Sequence, residues 1–303
     1  MEQTTHQALR PALLAGLDGL LAVLEPERAG DHRFRFAPDP DRWPDRVFGG
    51  QLLAQAIVAA SATTPGKVPL SVHAAFVRAG TPGQAVEAVV DPVRDGRTFA
   101  TRQVTLLENG RTVLTAIVTG HAGGEPESDA VPDDGSPPLP SPDDTPSIQD
   151  WARRLPGHVA GYGRHWIERP PAVEIRMAEA PCFLDGPPPG RARSHWMRAP
   201  RDLGPDPVRN AAVLAYASDF LLMDMVFHAH PAAGGAGGCN GLSLDHAIWF
   251  HRPVTFGQWH RHAQEAAVIT GPRGLVRGTV HDAGGRLAAT VAQEVLVLPA
   301  GTR

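Results

Sequence analysis

The segment SLDHAIWFHRP, residues 243–253, sets a hydroxyl, a carboxylate and two imidazoles among large apolar side chains. Ser243, Asp245, His246 and His251 are the residue types from which a nucleophilic triad or a metal site is built. Strand geometry keeps them apart. If 242–252 is a strand, Ser243 and Asp245 share one face and His246 takes the other. A serine–histidine pair within hydrogen-bond reach then cannot form inside the segment, and Asp245 and His246 fail as paired ligands for the same reason. His246, which shares its face with Leu244, Ile248 and Phe250, reads as a core histidine. His251, beside Trp249 near the strand end, reads as a capping or interface hydrogen-bonding group. Ser243 stays a site candidate provided that something elsewhere in the chain faces it.

Two more polar residues stand in apolar surroundings. Asp219 has Ala215, Tyr216, Leu222 and Met223 as helix neighbours one turn away. Burying a lone carboxylate costs several kcal/mol, so such a residue is paired, protonated or functional. Asp224, beside Phe220 and Phe227, competes with it, and the helix alone does not choose between the two. Along LAATVAQEVLV (287–297) the alternate residues Leu287, Ala289, Val291, Gln293, Val295 and Val297 share one face. The single amide there needs partners, and its ordinary reading is a structural one.

The elements that must position these residues come in two sets. Between 123 and 150 the chain reads GGEPESDAVPDDGSPPLPSPDDTPSIQD, too poor in large apolar residues to offset its ordering entropy. It is expected to be an extended linker between residues 1–122 and 151–303. The two halves repeat each other: HAAFVRAGTPGQ (73–84) aligns with AIWFHRPVTFGQ (247–258), and Gly110-Arg111 with Gly285-Arg286. Each half predicts one helix followed by an antiparallel meander. The first has a helix at 49–62 and strands at 70–78, 84–93, 97–107 and 112–121. The second has a long helix at 207–229 and strands at 242–252, 258–269, 274–281 and 286–298. The fold class is α+β, two tandem helix-plus-sheet domains.

Bulk properties narrow the partners. The 303 residues are 42% apolar, with a net charge of −4 and no long run of like charge, which disfavours nucleic acid and anionic membranes. Cys182 and Cys239 are far apart and form neither a disulfide framework nor a thiolate metal site. The N-terminal stretch carries Glu2 and Asp18 and reads as an amphipathic helix rather than a signal peptide. The longest apolar runs are too short or too interrupted to span a bilayer, so a soluble cytoplasmic protein is expected.

The motifs RVFGGQLLAQA (46–56), FVRAG (76–80), RDGRTFATRQV (94–104), YASDF (216–220), LDHAIWFHRP (244–253), RGLVRG (273–278) and AQEVLV (292–297) together resemble the acyl-CoA thioesterase II, or TesB-like, family. The resemblance runs in order from about Phe34 to Leu298. It implies a double hotdog fold with the two domains side by side, hydrolysis of fatty acyl-CoA without metal or organic cofactor, and homo-oligomers. It also implies a water held by three residues, here Asp219, Ser243 and Gln293, with Ser243 standing where the family pattern has threonine. That decides for Asp219 over Asp224 and makes Gln293 a site residue. Gly49 and Gly50, at the start of the first helix, either open backbone N–H groups to an oxyanion or allow close packing. Arg78, Arg97 and Arg102 could meet CoA phosphates, but lone arginines on strand edges are ordinarily solvated charges. The alternatives are a non-catalytic acyl-CoA-binding hotdog protein and, behind it, an enoyl-CoA hydratase. The glycine-rich stretch 229–241 is expected to be a loop near the site entrance.

Overall fold

The protein was analysed as a computed structural model, which describes residues 2–39, 45–123, 139–154, 160–184, 186, 192–230 and 240–298. Most of the glycine-rich stretch, Cys239 and residues 124–138 of the expected linker lie outside the described residues. In chain order the first half contains α1 (Glu2–Val23), β1 (Glu27–Gly30), β2 (Arg33–Phe36), α2 (Gly49–Ser61), β3 (Val68–Phe76), β4 (Val86–Asp95), β5 (Phe99–Glu108) and β6 (Arg111–His121). The second contains α3 (Ile148–Arg153), α4 (Ala160–Glu168), β7 (Glu174–Arg176), β8 (Ala192–Arg198), α5 (Pro207–Ser218), α6 (Leu222–Ala229), β9 (Asn240–Ser243), β10 (Asp245–Phe250), β11 (His260–Thr270), β12 (Arg273–His281) and β13 (Leu287–Leu298).

The strands join in one antiparallel sheet ordered β1-β2-β4-β5-β6-β3-β10-β13-β12-β11-β8-β7, with β9 also on β13. Read outward from its centre, the order is the same on both sides: β3-β6-β5-β4 is answered by β10-β13-β12-β11. The halves meet where β3 pairs with β10, His73 opposite Ala247. This is the duplication that the repeated motifs foretell. Its hairpins match too: Gly110 (φ 75°) turns β5 into β6 and Gly285 (φ 77°) turns β12 into β13, a conformation that glycine adopts at little cost.

The two central helices sit against the sheet and each other. The α2 sequence GGQLLAQAIVAAS is apolar nearly all round, and residues from Gly50 to Ala60 are buried almost without exception, as befits a core helix. Asp206 caps α5 by accepting from the Val208 and Arg209 N–H groups, with Pro207 at the first position. The helices touch at Gly50, where a Cβ would stand only 2.4 Å from the Tyr216 carbonyl oxygen.

Three expectations need correction. The long helix 207–229 is two helices: α5 stops at Ser218, and Leu221 takes a left-handed φ of 70° before α6 begins. That conformation costs a non-glycine residue about 1–2 kcal/mol, and it lies two residues from Asp219. The strand 242–252 is likewise divided at Leu244 into β9 and β10. Finally, the expected linker has structure at its C-terminal end. Ser147 and Asp150 form a reciprocal cap on α3, Ile148 is fully buried, and the Pro140 carbonyl accepts from the Trp196 indole at 2.8 Å. A few well-placed apolar and backbone groups suffice to order a segment whose composition looks solvated.

Candidate active site

Asp219 is the residue that ends α5, and it is buried beneath the N-terminus of α2. Its Oδ2 accepts the Gly50 N–H at 2.8 Å. A Cβ on Gly49 would come within 2.8 Å of the same oxygen. The two glycines thus bring the positive end of one helix onto a carboxylate at the end of the other, a favourable pairing. Burial raises the Asp219 carboxyl above its ordinary value; neighbouring His246, the Gly50 N–H and a hydrogen bond from Gln293 pull the other way without cancelling it.

Gln293 holds the remaining groups. Its Nε2 donates to Ser243 Oγ at 2.7 Å, and its Oε1 lies 2.6 Å from His246 Nδ1. The other ring nitrogen of His246 lies 3.0 Å from Ser218 Oγ, and Nδ1 is 3.8 Å from Asp219 Oδ1. Burial lowers the His246 pKa, against the pull of Asp219 and Gln293. Asp219, Ser243 and Gln293 are therefore brought together, and His246 and Ser218 join them.

His246 was expected on the opposite face from Ser243, and the sheet register shows why it is not. Ser243 pairs with Val295, but Ala247 pairs with Ala292. Four steps along one strand meet three along its partner, the signature of a β-bulge. The extra residue shifts the alternation by one, so Ser243 and His246 both reach Gln293. Asp245 is turned outward, where Oδ1 accepts the Glu294 N–H at 2.7 Å. His251 makes its hydrogen bond to Thr290 Oγ1 at 2.8 Å, on the paired strand β13, and not as a cap or at an interface.

The first half carries the same bulge, since Pro69 pairs with Gly120 and Ser71 with Thr119. By the repeat, Pro69, Val72 and Val118 take the places of Ser243, His246 and Gln293. Val72 and Val118 are direct cross-strand partners, so that copy of the architecture offers packing and no chemistry.

Asp224 has a separate role. It is buried against the Arg193 guanidinium and accepts the Cys182 N–H at 3.3 Å. Arg102 is also committed: it is 3% exposed and donates to Asp95, to the Thr63 hydroxyl and carbonyl, and to the Arg94 and Thr101 carbonyls. It ties α2 to β4 and β5 and is not free for a phosphate. Arg97 and Arg78 are exposed, and Arg78 donates to the Thr112 carbonyl. Gly50 has its N–H engaged by Asp219, so of the two helix-opening glycines only Gly49 can offer one to a ligand. Among the described residues, no three His, Cys, Asp or Glu side chains converge as metal ligands would.

Comparison with known proteins agrees with this architecture. The family profile of the acyl-CoA thioesterase N-terminal domain matches residues 39–121, and that of the C-terminal domain matches residues 132–297. The chain is 30% identical to acyl-CoA thioesterase 2 of Haemophilus influenzae over 93% of its own length and 97% of that protein's. The crystal structure of acyl-CoA thioesterase II TesB2 from Mycobacterium marinum superposes with a TM-score of 0.72 at 27% identity, covering 93% of this chain and 99% of that one. A hot dog fold protein from Alicyclobacillus acidocaldarius, 19% identical, gives a TM-score of 0.72 over 92% and 97% of the two chains and shares the fold. With both halves matched in order, the chain belongs to the acyl-CoA thioesterase II family and is a thioester hydrolase of double hotdog fold.

Proposed function

We propose that Asp219, Ser243 and Gln293 hydrolyse an acyl-CoA by activating one water against the thioester carbonyl. The observation that carries this reading is the placing of a buried carboxylate, raised in pKa, beside an amide and a hydroxyl that already touch each other. Asp219 accepts a proton as the water oxygen bonds to the carbonyl carbon, the work of a general base. Ser243, itself held by Gln293, keeps that water in line. The developing oxyanion is met by the Gly49 N–H at the start of α2. The tetrahedral centre then collapses, the carbon–sulfur bond breaks, and the proton on Asp219 passes to the leaving thiolate. Acid and free CoA thiol result, and no further reactant is required. The site spans the proposed division at 1–122 and 151–303, because Gly49 and Gly50 come from one half and the other residues from the second.

The test is thiol release from acyl-CoA esters graded from short to long chains. Turnover at some chain length is expected, and hydrolysis at none would favour an acyl-CoA-binding protein without activity. The pH profile carries a second expectation. The base works only when ionised, so kcat/KM should be full above the Asp219 pKa and fall as pH drops through it. Because burial raises that pKa above 3.8, the acid limb should lie above the range of an ordinary aspartate. An acid limb at or below the ordinary aspartate range would count against Asp219 as the base.

The same reading takes the protein to be a cytoplasmic homo-oligomer. Large apolar side chains exposed on the sheet, among them Ile117, Trp249 and Leu275, support association. The helical stretch Pro207–Phe227, apolar enough for a membrane, is 94% buried inside the fold, which fits a core element.

A further inference from the structure

We propose that His246 is a positioning residue: its Nδ1–H fixes which way round the Gln293 amide stands, and so fixes the hydroxyl of Ser243. This rests on the reading of Asp219, Ser243 and Gln293 as the water-holding site.

Gln293 is 1% exposed, so both ends of its amide need partners. Its Nε2 faces Ser243 Oγ at 2.7 Å and also donates toward Asp219. Its Oε1 faces His246 Nδ1 at 2.6 Å. An amide oxygen can only accept, so His246 must carry a hydrogen on Nδ1. Burial keeps the ring neutral, which leaves Nε2 as an acceptor. The Ser218 hydroxyl has one hydrogen and two acceptors in reach, the Ala215 carbonyl at 2.9 Å and this nitrogen at 3.0 Å; with the ring's own hydrogen on Nδ1, it turns to the ring. The resulting chain has one direction: Ser218 to His246, His246 to Gln293, Gln293 to Ser243. Ser243 therefore receives a hydrogen bond and keeps its own hydrogen for the water or the substrate.

The reversed amide would turn its oxygen toward the ionised Asp219 and its –NH2 toward His246. The Nδ1–H makes that arrangement a clash of donors. Without it, the correct orientation leaves a buried carbonyl unpaired, at a cost comparable to that of a lost hydrogen bond, and the amide is free to turn. Strict strand alternation places His246 among core residues, and the bulge at Leu244 turns it to Gln293 instead.

The test is a double-mutant cycle on kcat for the full chain, using His246→Leu, His246→Asn and Gln293→Ala. Leucine fills the space and removes the donor, whereas asparagine can return an N–H close to the Nδ1 position. His246→Leu should lower kcat by about 10- to 100-fold, on the scale of losing a group that orients a functional side chain, with KM within about twofold. In the Gln293→Ala background the same change should cost less than about twofold, because a residue that acts through Gln293 has nothing left to orient. His246→Asn should recover most of the loss and keeps the test decisive even if the leucine variant folds poorly. An undiminished kcat in His246→Leu, an equal cost in both backgrounds, or no advantage of asparagine over leucine would overturn the inference while the site stands. A Gln293→Ala enzyme with full kcat would instead remove the site reading beneath it.

Discussion

Asp219→Asn should lose hydrolysis by about a hundredfold or more, the scale of removing a general base, while remaining folded. Asparagine keeps the shape and can still accept the Gly50 N–H, but it cannot take a proton from water. The stability expectation follows from the sign of the pKa shift. Burial raises the Asp219 carboxyl, so the folded protein holds that proton more tightly than the unfolded chain does. Its contribution favours folding below the unfolded pKa and is lost as pH rises through the folded one. At neutral pH the ionised group counts against the fold, and the uncharged variant should be at least as stable as the parent. Thermal unfolding beside kcat would read both effects. A variant that is both inactive and clearly destabilised would make Asp219 a structural residue.

Asp224, five residues on, should behave in the opposite way. It shares a buried ion pair with Arg193, and both side chains are less than 10% exposed. Asp224→Ala would strand the guanidinium, and removing one partner of such a pair costs about 3–5 kcal/mol. The expected outcome is a fall in Tm on the order of 10 °C, with kcat for the protein that remains folded largely retained. A stable but inactive Asp224→Ala protein would reverse the roles assigned to the two aspartates. They look alike in sequence, each an acid among apolar neighbours, and differ because α5 ends at one and α6 carries the other toward Arg193.

How much could be read beforehand depends on which residues are compared. The duplicated meander was legible because glycine turns and alternating strands are local signals. Gln293 was legible as a lone amide on an apolar face, and that face is buried as expected, with Ala289, Val291, Val295 and Val297 all in the core. The break beside Asp219 was not, since Leu221 is an ordinary helix former forced left-handed by its surroundings. The bulge at Leu244 was equally hidden, because a one-residue slip in register leaves no compositional mark and yet reverses every later side chain. That slip separated His246 from the site on paper. The role of Arg102 was obscured for a different reason: its partners Thr63, Arg94 and Asp95 come together only when α2 lies along β4 and β5.

The most direct measurement of the central claim is a single turnover with enzyme in excess over acyl-CoA in 18O-labelled water. If the activated water attacks the thioester itself, the acid released in that first turnover carries the label. If Asp219 attacked instead, forming an anhydride that water opens at the aspartyl carbon, the first acid would carry an unlabelled oxygen from the protein and the label would remain in Asp219. The first result is expected; the second would contradict the role of Asp219 as a base.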